Sequence, residues 1–268
     1  MIKNPYQGRF IEFEGIDGSG KTTQVRLLAE RMKRENIPVF LTWEPTSENI
    51  FGRLARFIYM CESLHEDAPN ELKRFMQSAE YQALRPAYNK LQIKQLVRFE
   101  MIVHEIIAGN YKNLPTFLQL AMIFDRYHHH MDTVIPNLEK GINVVADRDF
   151  LSTLAYSAGD DIAWQPLLAA HEEILGPAFV APDIVFLILV PIEIGLNRTM
   201  AKQQGKKDYF DTEERLTKIS DRYMKVCTSP PIAENMSIVT IHGDNASPED
   251  VHKLIWPYCQ SLLVRGSV

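Results

Sequence analysis

Apolar residues fall along this chain in short runs separated by longer segments of helical periodicity. Residues 9–14 (RFIEFE) alternate apolar and charged side chains and then turn Gly-rich, the pattern of a strand running into a sheet. From residue 22 to about 36, Val25, Leu28, Ala29 and Met32 recur at helical spacing. Residues 38–43 (PVFLTW), 142–146 (INVVA, after the turn residue Gly141), 183–190 (DIVFLILV, after Pro182) and 237–241 (SIVTI) predict further strands. Near-continuous apolar strands alternating with helices predict a parallel sheet covered on both faces. From about residue 60 to 115 the pattern changes. Leu72, Phe75, Met76 and Ala79 sit at i, i+3, i+4 and i+7, Pro86 breaks the run, and Met101, Ile102, Glu105 and Ile106 continue a second helix towards Gly109-Asn110. No strand is visible there, so the stretch reads as a helical insertion on one α/β domain spanning residues 1–268.

Composition narrows the class. With 46% hydrophobic and 24% charged residues among 268, the chain has the make-up of a soluble globular protein. A formal charge of -5 and a pI of about 5.9 argue against a nucleic-acid partner. No apolar run approaches the roughly 18–20 residues of a membrane span, and MIKNPYQGRF lacks the apolar stretch of a signal peptide. Cys61, Cys227 and Cys259 are odd in number and have no ligand-like spacing, which suggests reduced thiols. A cytoplasmic protein with no membrane partner is the expectation, and a homodimer is left open.

The decisive motif is Gly15-Ile16-Asp17-Gly18-Ser19-Gly20-Lys21-Thr22, which matches G-x-x-x-x-G-K-[ST] between a predicted strand and a predicted helix. The glycines let backbone N–H groups converge on phosphate oxygens, and the helix that follows aims its positive end at the anion. Lys21 is placed to reach the outer phosphates of a nucleoside triphosphate and Thr22 to ligate Mg²⁺. The fold expected is therefore a P-loop NTPase fold with a five-stranded parallel sheet flanked by helices. A phosphate loop does not name a reaction, but no guanine-reading Asn-Lys-x-Asp follows a strand, and the size favours a kinase of small metabolites. Asp147-Arg148 ends a buried strand, where ligands collect in parallel sheets. Asp147 suits Mg²⁺ held through water, and Arg148 offers a bidentate fork for a phosphate.

These segments resemble the thymidylate kinase family, whose members convert dTMP to dTDP with ATP. The resemblance runs through residues 13–24 (FEGIDGSGKTTQ), Glu44-Pro45, Asp125-Arg126-Tyr127-His128-His129, Asp147-Arg148 with 152–156 (STLAY), Pro182-Asp183 and Leu196-Asn197-Arg198, in the family's order. It implies that ATP binds Gly15 to Thr23 (Gly15, Ile16, Asp17, Gly18, Ser19, Gly20, Lys21, Thr22, Thr23), with Arg198 and Asn245 at the adenine. It implies that Asp17 faces the acceptor's 3′-hydroxyl and that Arg126 reads the thymine carbonyl edge. Arg148 would grip the acceptor phosphate, and Glu44, Ser152, Thr153 and Tyr156 would line the acceptor site.

Several positions depart from the family. Members lacking an arginine in the phosphate loop usually carry arginines in a mobile lid. Here the loop position is Gly18, and the corresponding residues 199–212 (TMAKQQGKKDYFDT) offer only Lys202, Lys206 and Lys207 as cations. These lysines are the expected catalytic charges beside Lys21, Arg148 and Asp17. Trp43 stands where many relatives have Arg, and Asp149 where an aromatic is usual; both changes are expected to touch the acceptor pocket. His128, His129 and His130 point about 100° apart on a helix and cannot share one metal ion, so they read as a surface face with one His near the site. A deoxynucleoside kinase and a catalytically impaired nucleotide-binding regulator stand as alternatives; the former would be expected to show a Glu-Arg pair at 147–148.

Overall fold

A computed structural model describes residues 1–47, 49–63, 114–202, 212–244 and 246–264, with 70, 74, 77–79 and 108 in addition. Most of the insertion expected at 60–115, and Lys206, Lys207 and Asn245, lie outside the described residues. The strands are β1 (Ile2–Lys3), β2 (Phe10–Glu14), β3 (Val39–Trp43), β4 (Asn143–Asp147), β5 (Val180–Ala181), β6 (Ile184–Leu189) and β7 (Ser237–His242). The helices are α1 (Lys21–Arg34), α2 (Ile50–Ser63), α3 (Leu114–His129), α4 (Ile135–Glu139), α5 (Phe150–Tyr156), α6 (Trp164–Leu175), α7 (Ile192–Lys202), α8 (Glu213–Cys227), α9 (Pro230–Ala233) and α10 (Pro248–Val264). Five strands pair in parallel in the order β3-β4-β2-β6-β7, as the apolar runs predicted. A two-stranded parallel ladder of β1 with β5 was not foreseen.

The sheet is covered on both faces, and α1 shows why. Its periodic residues Val25, Leu28, Ala29 and Met32 are all buried, and Val25, Leu28 and Met32 pack with Ile11, Phe13, Val145 and Phe186 of the sheet and Ile255 of α10. The opposite face is closed by α2, α3, α5, α6 and α8 around Phe51, Phe124, Leu154 and Ile219. At roughly 25 cal/mol per Å² of apolar surface, such burial dominates the stability of the layer. Asp183, part of the Pro182-Asp183 signature, is structural: it accepts from Phe10 N at 2.8 Å and Asn4 Nδ2 at 2.7 Å, tying the entry of β2 to that of β6. Among the described residues, no helix is long and apolar enough to cross a membrane.

One burial was not foreseen and one expectation changes. RFIEFE forms the expected strand, and its Glu12 and Glu14 are fully buried. β2 is the central strand, so neither of its faces meets solvent. The three consecutive histidines are also buried rather than a surface face, at 4%, 6% and 1% exposure for His128, His129 and His130. A π-helical turn at His130–Val134 continues α3, and such turns commonly mark functional sites.

Candidate functional site

The carboxyl ends of β2, β3 and β4 face one side of the sheet, and the strand order reverses about β2. That crevice is where open α/β sheets bind ligands. The loop leaving β2 uses glycine for two reasons. Gly15 and Gly18 have φ of +140° and +74°, and a Cβ at Gly18 would lie 2.1 Å from the carbonyl oxygen of Gly195 in α7. No side chain, an arginine included, fits there in this arrangement. Lys21, buried at the start of α1, donates to the carbonyls of Gly15 at 2.9 Å and Ile16 at 2.7 Å. Burial, and then the charge of Arg148, pulls its ammonium down to about 8. The Thr22 hydroxyl donates to the Asp147 carboxylate at the end of β4.

Two clefts open around this loop. The larger, about 650 Å³, is lined by Gly18, Gly20, Lys21, Thr22, Asp147 and, from α7, Arg198 and Lys202. The smaller, about 280 Å³, lies between α3 and α5 and is lined by Leu118, Gln119, Met122, Arg126, Thr153 and Tyr156. Asp17, Glu44, Tyr59 and Arg148 line both, so the clefts meet at these residues.

Arg148 is built into that junction. Its backbone sits at φ +74°, a left-handed conformation that costs a non-glycine residue about 1–2 kcal/mol. Nη2 donates to Asp17 Oδ1 at 2.7 Å and to the Tyr156 hydroxyl at 2.6 Å, and Nη1 donates to Ser152 Oγ at 2.9 Å, Gly15 O at 3.1 Å and the Tyr223 hydroxyl at 3.2 Å. Burial opposes ionisation of Asp17, but Arg148 and then Lys21 outweigh it and hold the carboxyl at about 2. Glu14 anchors the far side. Its carboxylate accepts from the backbone N–H of Asp149 and Ser152, both at 3.0 Å, where α5 begins. It thereby satisfies donors that a helix start leaves unpaired. It also accepts from Ser152 Oγ at 2.6 Å and Tyr223 OH at 2.7 Å.

Behind the smaller cleft Arg126 is almost completely enclosed. Nη2 donates to Glu44 Oε2 at 2.5 Å, Nη1 donates to Thr153 Oγ1 at 3.1 Å and His171 Nε2 at 2.6 Å, and Nε lies 2.5 Å from Asp149 Oδ1. His171 Nδ1 faces the Leu167 carbonyl at 2.7 Å, which assigns the proton to Nδ1 and leaves Nε2 to accept from Arg126. Burial, then the Arg126 charge, lowers His171 to about 3, so it is neutral. Burial likewise opposes ionisation of Asp149, yet His130 at 3.0 Å and then Arg126 hold it well below the usual carboxylate range. Glu44 lies 2.9 Å from His129 Nδ1. Burial resists charging of His129, but that bond and the Glu44 charge raise its pKa. Glu44, His130 and Asp149 are close enough to hold a metal ion, but the Arg126 guanidinium already supplies a cation to both carboxylates.

The sequence as a whole matches a family model described as thymidylate kinase over residues 13–102 and 94–255. The chain belongs to the thymidylate kinase family. It is 26% identical over 261 residues to a thymidylate kinase of Bradyrhizobium sp. strain ORS 278, covering 96% of this chain and 91% of that protein. Probable thymidylate kinases of Pyrococcus abyssi (29% over 250 residues, 92% and 93% covered) and Methanocaldococcus jannaschii (28% over 253 residues, 94% and 96% covered) are similarly related along their lengths.

Set against the residues the family resemblance singled out, the structure gathers Lys21, Thr22, Asp147, Arg198 and Lys202 at the larger cleft and Arg126, Ser152, Thr153 and Tyr156 at the smaller. Trp43, expected at the acceptor pocket, lines the larger cleft with the phosphate loop instead and is 55% exposed. Asp149, expected to alter the acceptor pocket, lines the smaller cleft and is paired with Arg126 and His130. The roles of Glu14, Tyr223 and His171 were not legible. Tyr223 occupies a core position of α8 with Leu216, Ile219 and Val226, and nothing in that spacing reveals where its hydroxyl points.

Proposed function

We propose that the protein transfers the γ-phosphoryl group of ATP to dTMP, giving dTDP and ADP, in the cytoplasm and with no nucleic-acid partner. The observation that carries this is the junction of two clefts at Arg148 and Asp17. One cleft is a phosphate loop and suits a triphosphate. The other is smaller, partly apolar and ends on an arginine, and suits a nucleoside monophosphate. The acceptor phosphate, gripped by Arg148, places an oxygen in line with the γ-phosphorus. A P–O bond forms as the bond to the β,γ-bridging oxygen breaks, and ADP leaves. No general base is required because the attacking oxygen is already anionic. Lys21 neutralises the outer phosphates, Lys202 reaches the same cleft, and Lys206 and Lys207 follow it in the lid sequence. Asp17, held by Arg148 and Tyr156, faces the acceptor's 3′-hydroxyl. The Thr22 hydroxyl and the Asp147 carboxylate are hard oxygen donors in direct contact and fit Mg²⁺, Thr22 as ligand and Asp147 through water. Bound there, the ion would supply charge compensation for the phosphates.

Purified protein with Mg·ATP is expected to convert dTMP to dTDP and to leave thymidine unphosphorylated, because thymidine offers Arg148 no phosphate. Absence of turnover with dTMP, dUMP and dCMP alike would end this reading.

The position of Lys21 gives a pH dependence. Its ammonium binds phosphate oxygens, and in the free protein it loses its proton near pH 8. Triphosphate binding favours the charged form, so the bound pKa lies higher. Affinity for Mg·ATP is therefore undiminished below pH 8 and falls about tenfold per pH unit above it. Calorimetric titration between pH 7.5 and 9.5 measures this. Lys21→Arg is expected to flatten the slope.

A further inference from the structure

The smaller cleft contains a polar group that the proposed chemistry does not use. Gln119 lies on α3, seven residues before Arg126 and therefore on the same helix face. It is 2% exposed, lines the cleft, and its amide makes no hydrogen bond to any described residue. Its amide atoms are not among the buried unpartnered ones, so they open on the cleft itself, where a bound ligand can take the place of solvent. Arg126, which the family resemblance points to as the base reader, has little left to offer. Of the five N–H bonds a guanidinium carries, three are donated to Thr153, His171 and Glu44, the one on Nε lies against Asp149 as an ion contact without hydrogen-bond alignment, and the second on Nη2 has no partner among the described residues.

The geometry points to Gln119 as a specificity-determining residue whose amide pairs with the edge of the acceptor's base, a role that rests on the cleft being the nucleotide acceptor site. An amide presents one acceptor beside one donor. A pyrimidine imide edge presents the complement, N3–H beside a ring carbonyl. The amide could flip to suit cytosine, whose N3 accepts and whose exocyclic amine donates. The remaining Arg126 N–H removes that ambiguity, because a second donor is met by a ring carbonyl and repelled by an amine. Met122, three residues after Gln119, and Leu118 supply apolar wall for the ring.

The test compares the full-length protein with Gln119→Met, which conserves volume and removes both hydrogen-bonding atoms. Gln119→Met is expected to raise KM and Kd for dTMP about 10- to 100-fold, with the loss falling mainly on KM and the KM for ATP unaltered. The Kd for 2-deoxyribose 5-phosphate, which lacks a base, is expected to be equal in the two proteins; a general structural defect would move both ligands together. Gln119→Glu is expected to lower the preference for dTMP over dCMP. If the wild-type protein turns over dTMP and Gln119→Met does so with an unchanged KM, the inference falls while the kinase reading stands. If the wild-type protein binds no nucleoside monophosphate, both fall.

Discussion

Replacing Arg148 by lysine is expected to reduce kcat/KM for dTMP about 100- to 1,000-fold, the range seen when one preorganised donor to a developing charge is lost. Lysine keeps the charge but not the fork. One ammonium cannot reproduce the donors that Arg148 directs to Asp17, Tyr156, Ser152, Gly15 and Tyr223. The KM for ATP is expected to move little, since the proposed hold on ATP is made by Lys21 and the backbone of the loop. Two further variants separate chemistry from backbone strain. Arg148→Ala and Arg148→Gly remove the same hydrogen bonds, but only glycine accepts φ +74° without penalty. The glycine variant is expected to be more stable than the alanine variant by about 1 kcal/mol in denaturant titrations while being equally inactive. Equal stability would mean that the left-handed backbone stores no strain.

Removing the carboxylate of Asp149 is expected to be the most damaging single change to stability. Asp149→Leu leaves Arg126 Nε and His130 Nε2 facing an apolar group in a buried site. Breaking one partner out of a buried ionic cluster costs about 3–5 kcal/mol, because a charge remains uncompensated. For a chain of this size that corresponds to a fall in Tm on the order of 10 °C. The pairing itself predicts a second outcome. In Asp149→Leu with Arg126→Met, the under-compensated guanidinium is gone while Glu44 keeps only His129, and part of the lost stability is expected to return. Additive losses in the double variant would show that Arg126 and Asp149 act independently.

Asp149 also shows where the smaller cleft departs from the pattern of the resemblance. The sequence placed a carboxylate where an aromatic is usual, and that substitution gave no hint of a partner. The fold brings it against Arg126 of α3 and His130 of the π turn, with Glu44 from the loop after β3 completing the cluster. These residues lie up to 105 positions apart in the sequence, from 44 to 149. No local period connects them, because each arrives from a different element.

The phosphate loop and the strands were legible because their causes are local. Gly15 to Thr22 must carry those residue types wherever a backbone wraps a phosphate, and the buried parallel strands must be apolar on both faces. Val25, Leu28, Ala29 and Met32 identified the covered face of α1 for the same reason. What only the tertiary structure decided is everything that depends on neighbours distant in sequence. Glu12 and Glu14 are buried because β2 lies between β4 and β6 with helices on both faces, which the alternation in RFIEFE does not reveal. Three adjacent histidines look like a surface run, and become interior because α3 packs between α2 and α6 and continues into a π turn. Polar side chains carry no periodic signal of burial. Their roles follow from which charges and carbonyls the fold brings within about 3 Å, where hydrogen bonds form.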